Sequence, residues 1–560
     1  MTSSPNQPER PAVFASQADS DGRLSVGEKV AYGLGDTASN FFWKLFEYFL
    51  VFFYTDVFGI SSSATGTMLL VTKIWDAVND PLMGYIADRT QTTWGRFRPY
   101  LLWMAVPLAI TGMLTFYVPD LGPQGKLVYA YITYTLVMTA YTAINIPYGA
   151  LMGVITPSSL ERTSVSTYRF VAAFIGGIIV QSFTLSLVNW FGQTDQLTAD
   201  GQPLVDQQTG FFWTVAVYSL AAVVLFFVTF ALTRERVKPA VETAANFRAD
   251  LRFLLTSLKL HQIFLVGLAL LAAFPVGFAP DKLVWIAACY LLLSTISWLT
   301  AALARQRMPA TSGASSLEND FNDLITNRPW LVLFFFGLFQ LIAAFLRGGA
   351  TLYYFKYFVK DDSWSSTFLV AGSLAAIAGM LLTRQLTALL GKRALMIAMN
   401  TGTAICTALL FLVEPSQTWL MLGLQIVGGF ISGPSPVLLW AMYADVADYS
   451  EWRFHRRATG LVFSAATFSQ NLGCAIGAAM TGWVLGWIGY QEPVDGVAVE
   501  QTAQTLVGLQ LMMSLLPAGF LLAAAGCLLF YEITPAVAHQ MEADLRSRRV
   551  SPQSSPGGGE

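Results

Sequence analysis

Residues 75–84 read Trp75-Asp76-Ala77-Val78-Asn79-Asp80-Pro81-Leu82-Met83-Gly84, inside an apolar run at 64–87 that is long enough to cross a bilayer. Asp76, Asn79 and Asp80 are spaced i, i+3 and i+4, so they share one face of the predicted helix. A charge at mid-membrane is costly and must be offset by a proton, a basic partner or a bound cation. Carboxylate and amide oxygens suit a hard cation. A buried acid kept only for packing is the alternative, but intramembrane acids usually mark an ion or substrate pathway.

The composition is that of a membrane protein. Of 560 residues, 54% are hydrophobic and 12% are charged, whereas soluble proteins carry about 25% charged residues. We therefore expect a polytopic α-helical membrane protein. The net charge of −2 and the lack of a dense basic patch argue against nucleic acid as a partner. The four cysteines stand in apolar segments without ligand-like spacing, which argues against disulfides and a zinc site.

Nothing in the sequence points to catalysis. It contains no metal-ligand triad, nucleophile elbow or phosphate-binding loop. The three histidines, His261, His455 and His539, are too scattered to act together. We predict that the protein is not an enzyme and needs no cofactor.

Segments of spanning length recur along the chain. They fall into groups of six, two and six, separated by polar stretches at 233–259 and 305–328. The fourteen predicted spans lie near 30–54, 64–87, 100–118, 127–155, 165–190, 211–232, 262–277, 282–304, 329–353, 366–386, 394–412, 419–443, 460–488 and 507–530. The predicted organisation is a disordered tail (1–27), a six-helix bundle (28–235), a linker with two extra helices (236–328), a second six-helix bundle (329–533) and a tail (534–560).

Basic residues predict the orientation of these spans. With the N-terminus in the cytoplasm, the arginine-rich loops fall inside, whereas the long outside loops at 191–210 and 491–505 contain no Lys or Arg. We therefore expect both termini to be cytoplasmic and the protein to lie in a bacterial inner membrane. Two bundles flanking a polar hinge are typical of a transporter whose substrate site lies between them. A channel is the alternative.

One loop resembles a known signature. Gly84 and Asp88-Arg89, followed by Gly95-Arg96-Phe97-Arg98-Pro99, resemble the loop motif of the major facilitator superfamily. The resemblance implies that Asp88, Arg89, Arg96 and Arg98 latch neighbouring helices on the cytoplasmic side and take part in gating. Basic residues that only orient the chain would explain Arg96 and Arg98, but not the spacing of Gly84 and Asp88.

Further motifs narrow the resemblance to one branch, the glycoside–pentoside–hexuronide:cation symporters. The similarity covers both six-helix halves, about 31–235 and 327–531, and leaves out 247–317. It implies a major facilitator fold of two six-helix bundles, and the two inserted central spans bring the predicted total to fourteen helices. The motifs are Asp76-Ala-Val-Asn79-Asp80-Pro, Asn145-Ile-Pro147-Tyr148, Tyr168-Arg169-Phe170, Leu346-Arg347-Gly348-Gly349 and Ala444-Asp445-Val-Ala-Asp448-Tyr449.

The resemblance implies a cation site. Asp76, Asn79 and Asp80 match the family's cation-binding positions on the second helix, and Thr142 matches a hydroxyl on the fourth helix that completes the site. We expect Na⁺ as the coupling ion, with H⁺ carried by one of the acids as the alternative. Arg169 matches a family arginine near both sugar and cation, where it would be a counter-charge for the acids and a donor to a sugar hydroxyl.

The expected substrate residues depart in part from those of the family's best-known member. Ser39 and Asn40 replace a Lys-Asp pair, and Asn145 replaces an aspartate that grips the sugar. Asn471 replaces a lysine common in the family, which leaves both the cation and the saccharide open. Amides still suit sugars because each offers donors and acceptors. The predicted substrate residues are Ser39, Asn40, Asn145, Tyr148, Arg169, Arg347, Gln470 and Asn471.

Several other residues allow two interpretations. Arg347 is deep enough to serve the substrate or to pair with Glu47. Trp43 could offer a flat surface to a sugar or simply pack between helices. Asp445 and Asp448 end a span just before a basic cluster, so we interpret them as the second half's counterpart of the Asp88 latch and assign them to gating.

Together these features predict a symporter that moves a glycoside, pentoside or hexuronide with a cation by alternating access. We expect it to work as a monomer among membrane lipids. A carrier of the same fold for a lysophospholipid is the closest alternative, since lysolipid carriers share this ancestry. A non-transporting sensor or scaffold is a further alternative, although the shared face of Asp76, Asn79 and Asp80 argues against it.

Overall fold

The computed structural model describes residues 24–156, 159–197, 203–236, 323–454, 459–493 and 499–550, with isolated positions between 257 and 298. The two predicted central spans, at 262–277 and 282–304, therefore lie outside the described residues except for a few positions. The prediction of fourteen helices in total is untested for the same reason. Most of the predicted N-terminal tail and the last ten residues also lie outside this part of the chain.

The first half of the described chain forms six long helical elements, α1 to α6. A hairpin of two short antiparallel strands, β1 (Gln193–Leu197) and β2 (Pro203–Val205), lies between α5 and α6. The elements are α1 (Val26–Tyr48, continued by Leu50–Phe52 and a π-helical segment Phe53–Val57), α2 (Ser62–Arg89), α3 (Arg98–Trp103 and Ala105–Thr115), α4 (Pro123–Val154), α5 (Ser159–Phe191) and α6 (Gln207–Leu232).

The second half also forms six long helical elements, α7 to α12, and ends in an additional helix, α13 (Pro535–Val550). Eight of the described helices are long and apolar enough to cross a membrane. The elements are α7 (Arg328–Tyr353, continued by a π-helical segment Tyr354–Val359), α8 (Ser363–Leu381 and Thr383–Leu390), α9 (Lys392–Leu409 and a 3₁₀ turn Leu410–Leu412), α10 (Thr418–Ser432 and Ser435–Phe454), α11 (Thr459–Trp487) and α12 (Ala503–Met513, Leu515–Cys527 and a 3₁₀ turn Leu528–Phe530).

Polar side chains mark the starts of several of these helices. The Ser25 hydroxyl accepts from the backbone N–H of Glu28 at the start of α1, and the Asn327 side chain accepts from Trp330 N at the start of α7. Asp206 caps α6 in the same way. Such caps satisfy N–H groups that have no partner within the helix, which matters most where water is scarce.

Helix packing shows that the two halves are repeats of one unit. In the first half α1 packs on α5 and α6, and α2 packs on α4; in the second half α7 packs on α11 and α12, and α8 on α10. The π-helical segments also correspond, because each directly follows the first helix of its half. The prediction of two six-helix bundles is therefore confirmed. We call the side at which α2 and α8 end, near Arg98 and Lys392, the basic side, and the other end the opposite side.

The two halves meet along three helix pairs, α2 with α11, α5 with α8 and α1 with α7. Near the opposite side, the backbone N–H of Ser62 donates to Glu492 Oε1 at 3.0 Å, and the Trp483 indole donates to Thr67 Oγ1 at 3.2 Å. Further along, within α5 and α8, Ser373 Oγ donates to Gln181 Oε1 at 2.8 Å. These contacts hold the two bundles together at and near the opposite side.

Glycines allow α2 and α11 to approach closely. A Cβ at Gly66 would lie 2.5 Å from the carbonyl oxygen of Ala479, and a Cβ at Gly482 would lie 2.7 Å from the Gly66 nitrogen and would also collide with the Ser62 carbonyl oxygen. Backbone atoms cannot rotate away as a flexible side chain can. Any larger residue at these positions must therefore separate the helices.

We predict that Gly482→Val opens the contact between α2 and α11. In a background without the four native cysteines, Ser62→Cys should react several-fold faster with a membrane-impermeant maleimide when Gly482→Val is present, because the buried Ser62 position becomes accessible to water. Gly519→Val on α12 is the matched control, since a Cβ there meets no atom within 4 Å. Equal labelling rates in both variants would contradict the prediction.

Candidate substrate and cation site

Asp80 is the central acid of the site. On one side Thr142 Oγ1 donates to Asp80 Oδ1 at 2.8 Å, and on the other Asn471 Nδ2 donates to Asp80 Oδ2 at 3.4 Å. The packing of α2 between α4 and α11 produces this arrangement. Thr142 belongs to the first half and Asn471 to the second, so Asp80 contacts both halves of the molecule.

The other predicted cation ligands lie on the same helix. Asn79 is 7% exposed, and its Nδ2 is buried without a hydrogen-bond partner among the described residues. The backbone of Asp76 is part of α2, one turn before Asp80, but its side chain lies outside the described part of the chain. The structure therefore brings Asp80 and Thr142 together and leaves the contacts of Asp76 as a prediction.

Arg169 has a different carboxylate partner from the one that we expected. It pairs with Asp36 on α1, with Nε 2.7 Å from Oδ2 and Nη2 3.3 Å from Oδ1, a two-point contact that fixes the guanidinium plane. Its Cζ lies 5.3 Å from the centre of the Tyr148 ring. Asp36 is 7% exposed, so the pair satisfies two charges within the first half. Through its contact with the Tyr148 ring, Arg169 lies next to one of the predicted saccharide residues.

Tyr148 is a packing residue in this conformation. Its ring stacks on Tyr32 with centroids 4.7 Å apart, and the two tyrosines exchange hydrogen bonds, each hydroxyl donating to the other's backbone carbonyl oxygen, at 2.6 and 3.0 Å. Tyr148 has no exposed surface. The aromatic pair joins α1 to α4 and supports the polar residues nearer the centre.

Three predicted saccharide residues of the first half have hydrogen-bond partners within the protein. Ser39 Oγ donates to Asn145 Oδ1 at 2.7 Å, and Asn145 Nδ2 donates to the Tyr141 carbonyl oxygen at 3.1 Å. Asn40 Nδ2 donates to the Asp36 carbonyl oxygen at 2.9 Å. Hydroxyl and amide groups of this kind can replace a hydrogen bond within the protein by one to a sugar hydroxyl with a small change in free energy.

An aromatic row leads from this polar group to the second half. Trp43 on α1 stacks on Tyr141 with centroids 6.1 Å apart, and it meets Phe345 on α7 edge-on at 5.6 Å. Lys73 on α2, which the sequence analysis did not single out, places its ammonium 5.8 Å from the Trp43 ring centre. Its position three residues before Asp76 was the signal that could have identified it.

The predicted residues of the second half do not all converge on Asp80. Arg347 Nη2 donates to Gln425 Oε1 on α10 at 2.7 Å, while Glu47 pairs with Lys44 at 2.6 Å, so the alternative partner Glu47 is already occupied. Gln470 lies beside Tyr443 where both approach Gly337. Of the three predicted substrate residues of the second half, Asn471 is the one that the structure places against Asp80.

Among the residues described on the basic side, the following contacts lie within each half. Arg98 Nη2 donates to the Phe230 carbonyl oxygen at 2.6 Å, and the backbone N–H groups of Arg96 and Arg98 donate to the Glu235 carboxylate at 2.9 and 3.0 Å. Lys392 pairs with Asp445 at 2.6 Å. Asp445 and Asp448 line one cavity of about 550 Å³ under α13. The side chains of Asp88 and Arg89 lie outside the described residues, so the gating role of this set stays a prediction.

A buried ion pair on the opposite side was missed in the sequence. Asp56, whose side chain is fully buried, accepts from Lys356 Nζ at 2.8 Å, from the Tyr357 hydroxyl at 3.0 Å and from the Tyr490 hydroxyl at 2.7 Å. Asp56 belongs to the end of α1, and its partners to α7 and to the segment after α11. We call these four residues the opposite-side latch. Its signal was the internal repeat, which puts opposite charges in the two π-helical segments.

Two six-helix repeats with buried ionic residues where they meet define a secondary transporter of the major facilitator fold. The solved structure of the inward-open xylose transporter XylE from Escherichia coli supports this fold, with a TM-score of 0.55 at 12% identity over 92% of this chain and 98% of that one.

Sequence comparison then identifies the family. The model described as MFS/sugar transport protein matches residues 31–280 and 277–535. The chain is 31% identical to the putative glycoside/cation symporter YagG of Escherichia coli strain K12, over 94% of this chain and 96% of that protein. It is 30% identical to the isoprimeverose transporter of Lactiplantibacillus pentosus, over 93% and 92%. The chain belongs to the MFS/sugar transport protein family and resembles its glycoside–cation symporters, which are transporters and not enzymes.

We predict that the opposite-side latch contributes strongly to stability in this conformation. Asp56→Asn or Lys356→Met alone leaves a buried charge without its partner, which should lower the free energy of unfolding by about 3–5 kcal/mol. The combined variant should lose clearly less than the sum of the two single variants. Unfolding in detergent micelles measures all three. Lys360→Met, which removes an exposed lysine nearby, is the control; strictly additive losses would contradict the prediction.

Proposed function

We propose that the protein is a bacterial inner-membrane symporter that couples saccharide uptake to the entry of Na⁺ or H⁺. The observation that carries this proposal is the position of Asp80, whose carboxylate is hydrogen-bonded by Thr142 from the first half and by Asn471 from the second. A cation bound at this carboxylate changes the contacts of both halves at once. That is the requirement for a ligand that shifts an alternating-access equilibrium.

The oxygen atoms near Asp80 support a cation site. Thr142 supplies a hydroxyl, Asn79 a buried side-chain amide, and the sequence places a second acid, Asp76, one turn before Asp80 on α2. In the proposed Na⁺ form, the hydroxyl of Thr142 turns its lone pairs towards the ion instead of donating to Asp80. In the alternative H⁺ form, the proton resides on Asp80. Asn471 adds no charge, so it is compatible with either ion.

We place the saccharide next to this site, between the two halves. Ser39, Asn40 and Asn145 supply hydroxyl and amide groups, and Arg169 lies behind them against Asp36. Trp43, at the centre of the aromatic row, provides an apolar surface for the C–H face of a sugar. Because Thr142 and Asn145 lie on the same stretch of α4, occupation of one site positions groups of the other, which favours mutual enhancement of affinity.

The contacts between the halves support an inward-facing conformation. The opposite side is closed by the glycines of α2 and α11 and by the opposite-side latch, which includes Asp56 and Lys356. We propose that the basic side faces the cytoplasm, because its loops carry the arginines, and that both termini lie there. Substrate would then be released into the cell when the molecule is in the state described here.

We predict that cation-dependent saccharide binding requires the Asp80 carboxylate and the Thr142 hydroxyl. Binding of labelled α- and β-glycosides, pentosides and hexuronides to purified protein should be measured with and without Na⁺ and between pH 5 and 8. Asp80→Asn should abolish the cation dependence. Thr142→Val should weaken the apparent cation affinity about tenfold, the loss of one hydrogen-bonding group.

Thr139→Val provides the matched control, because that hydroxyl, one turn earlier on α4, accepts from the Trp75 indole and donates to the Thr135 carbonyl oxygen, not to a carboxylate. Dependence on pH without dependence on Na⁺ would identify H⁺ as the coupling ion. Saccharide binding that is unaffected by Na⁺, pH and Asp80→Asn would contradict the proposed coupling. A failure of every saccharide to bind would contradict the substrate assignment.

A further inference from the structure

The cavity of about 550 Å³ on the basic side lies away from the proposed saccharide site. It is enclosed by the start of α9, the end of α10, the segment after α12 and the terminal helix α13. Cavities of about 300–1,000 Å³ are typical of sites for small molecules. Charged and hydroxyl groups line this one together with apolar side chains, so it is more than a gap between packed helices: Lys392, Arg393, Asp445, Asp448, Tyr531 and His539.

Tyr531 brings a polar group into this cavity that nothing in the protein uses. It is 2% exposed, and its hydroxyl is buried without a hydrogen-bond partner among the residues that the structure describes. Burial raises the pKa of Tyr531 well above its ordinary value, and the carboxylate of Asp445 adds to the rise, so the hydroxyl keeps its proton and can donate. Buried phenols normally have a partner. A ligand in the cavity would supply one.

The start of α9 adds further donors. This helix begins at Lys392, directly after Gly391, and no side chain caps it. The backbone N–H groups of Lys392, Arg393 and Ala394 therefore have no acceptor within the helix or from a cap. Arg393 donates its Nε and Nη2 to two carbonyl oxygens at the end of α12, at 3.0 and 2.6 Å, which fixes its charge at the same place. An uncapped helix start beside a fixed guanidinium favours an anion.

The first half shows what fills this position when the protein supplies the anion itself. There, three successive N–H groups at the start of α3 donate to the Glu235 carboxylate at 2.7–3.0 Å. Both loops join the second helix of their half to the third, and each contains a glycine with positive φ, Gly95 or Gly391. Glu235 is the third residue after α6, whereas the third residue after α12 is Ile533, which lines the cavity. The second half thus has an apolar side chain where the first half has its carboxylate.

The acids of the cavity indicate what else the ligand carries. Both oxygens of Asp445 accept from Lys392, at 2.9 and 2.6 Å, so this pair adds no net charge, and Asp448 lies one turn further along α10. Carboxylates accept hydrogen bonds from hydroxyl groups but repel a second anion. The anionic group of a ligand must therefore lie at the start of α9, and its hydroxyl groups at the two acids. Phosphate suits the helix start because its three terminal oxygens accept from several donors.

We propose that this cavity binds a phosphate ester of a polyol, with the phosphate at the start of α9 and at Tyr531 and the hydroxyls at Asp445 and Asp448. The site is built from the second half alone and does not depend on the proposed symport function. Lys392 begins a spanning helix, so the cavity lies at the level of the lipid head groups. The ester is therefore either a free sugar or glycerol phosphate, or the head group of phosphatidylglycerol. When bound, it joins α13 to α9 and α10.

Calorimetric binding to the full-length protein, in a detergent without a sugar head group, tests the site. We expect glucose 6-phosphate and glycerol 3-phosphate to bind at least about tenfold more tightly than glucose and glycerol. Tyr531→Phe should weaken binding of the esters about tenfold, the loss of one hydrogen bond to a charged group. It should not lower the unfolding temperature of the empty protein, because the hydroxyl has no partner there. Ile533→Glu, which copies the carboxylate of the first half, should abolish binding.

Tyr54→Phe is the matched control, because that hydroxyl is also buried without a partner in the described part of the chain but belongs to the opposite side. It should leave binding of the esters unchanged. Nanodiscs separate the two sources of the ligand. A higher unfolding temperature in phosphatidylglycerol than in phosphatidylcholine, lost in Tyr531→Phe, identifies the lipid head group; binding of the free esters without that difference identifies a solute.

Two results would overturn the inference. One is that neither ester binds and phosphatidylglycerol has no effect on the unfolding temperature. The other is that Tyr531→Phe binds the esters as tightly as the wild type and Tyr54→Phe do, which would place them elsewhere on the protein. Should Ile533→Glu fail to fold, Tyr531→Phe decides alone. Cation-dependent saccharide binding at Asp80 is measured separately, so the proposed symport function stands or fails independently of these results.

Discussion

The burial of charge inside the membrane is the constraint on which the rest of this structure depends. A carboxylate or a guanidinium between apolar helices must have a partner, because lipid offers none. The ion pair of Asp36 and Arg169 joins α1 to α5, and that of Asp56 and Lys356 joins the two halves. These ion pairs determine which helices are in contact. They also determine which conformations the molecule can adopt, because each pair must either persist or break when the helices move.

The two ends of the molecule use these partners differently. On the basic side, Lys392 and Arg98 bind groups of their own half, which strengthens each bundle as a rigid body. On the opposite side, Asp56 and the glycines of α2 and α11 join one bundle to the other. A rocking movement of the two bundles requires both kinds of contact. Contacts within a bundle must persist during the change between inward- and outward-facing states, whereas contacts between the bundles must break.

The family and the fold were predictable because they depend on local patterns. A run such as 64–87 predicts a membrane helix from its length alone, and the spacing of Asp76, Asn79 and Asp80 predicts a shared face. The contact between Thr142 and Asp80 was expected from family resemblance, and the structure contains it. Its role in cation binding stays a proposal.

Partners across long separations were not predictable. We expected Arg169 near the acids of α2 and weighed Glu47 as a partner for Arg347, but the structure gives them Asp36 and Gln425. Spacing along one helix says nothing about which helix lies alongside. Asp56 and Lys356 carry opposite charges in the corresponding π-helical segments of the two halves, but spacing along either helix did not indicate that these two segments meet.

The amino-acid sequence by itself determined that this chain is a helical membrane transporter, which residues are charged within its spans, and that the basic loops lie on one side. Hydrophobic length, residue charge and local spacing carry that information. Only the tertiary structure decided that Asp80 contacts both halves, that Asp56 closes the opposite side, and that Arg347 binds the amide of Gln425. Those outcomes depend on which helices pack together, and packing is a property of the whole chain.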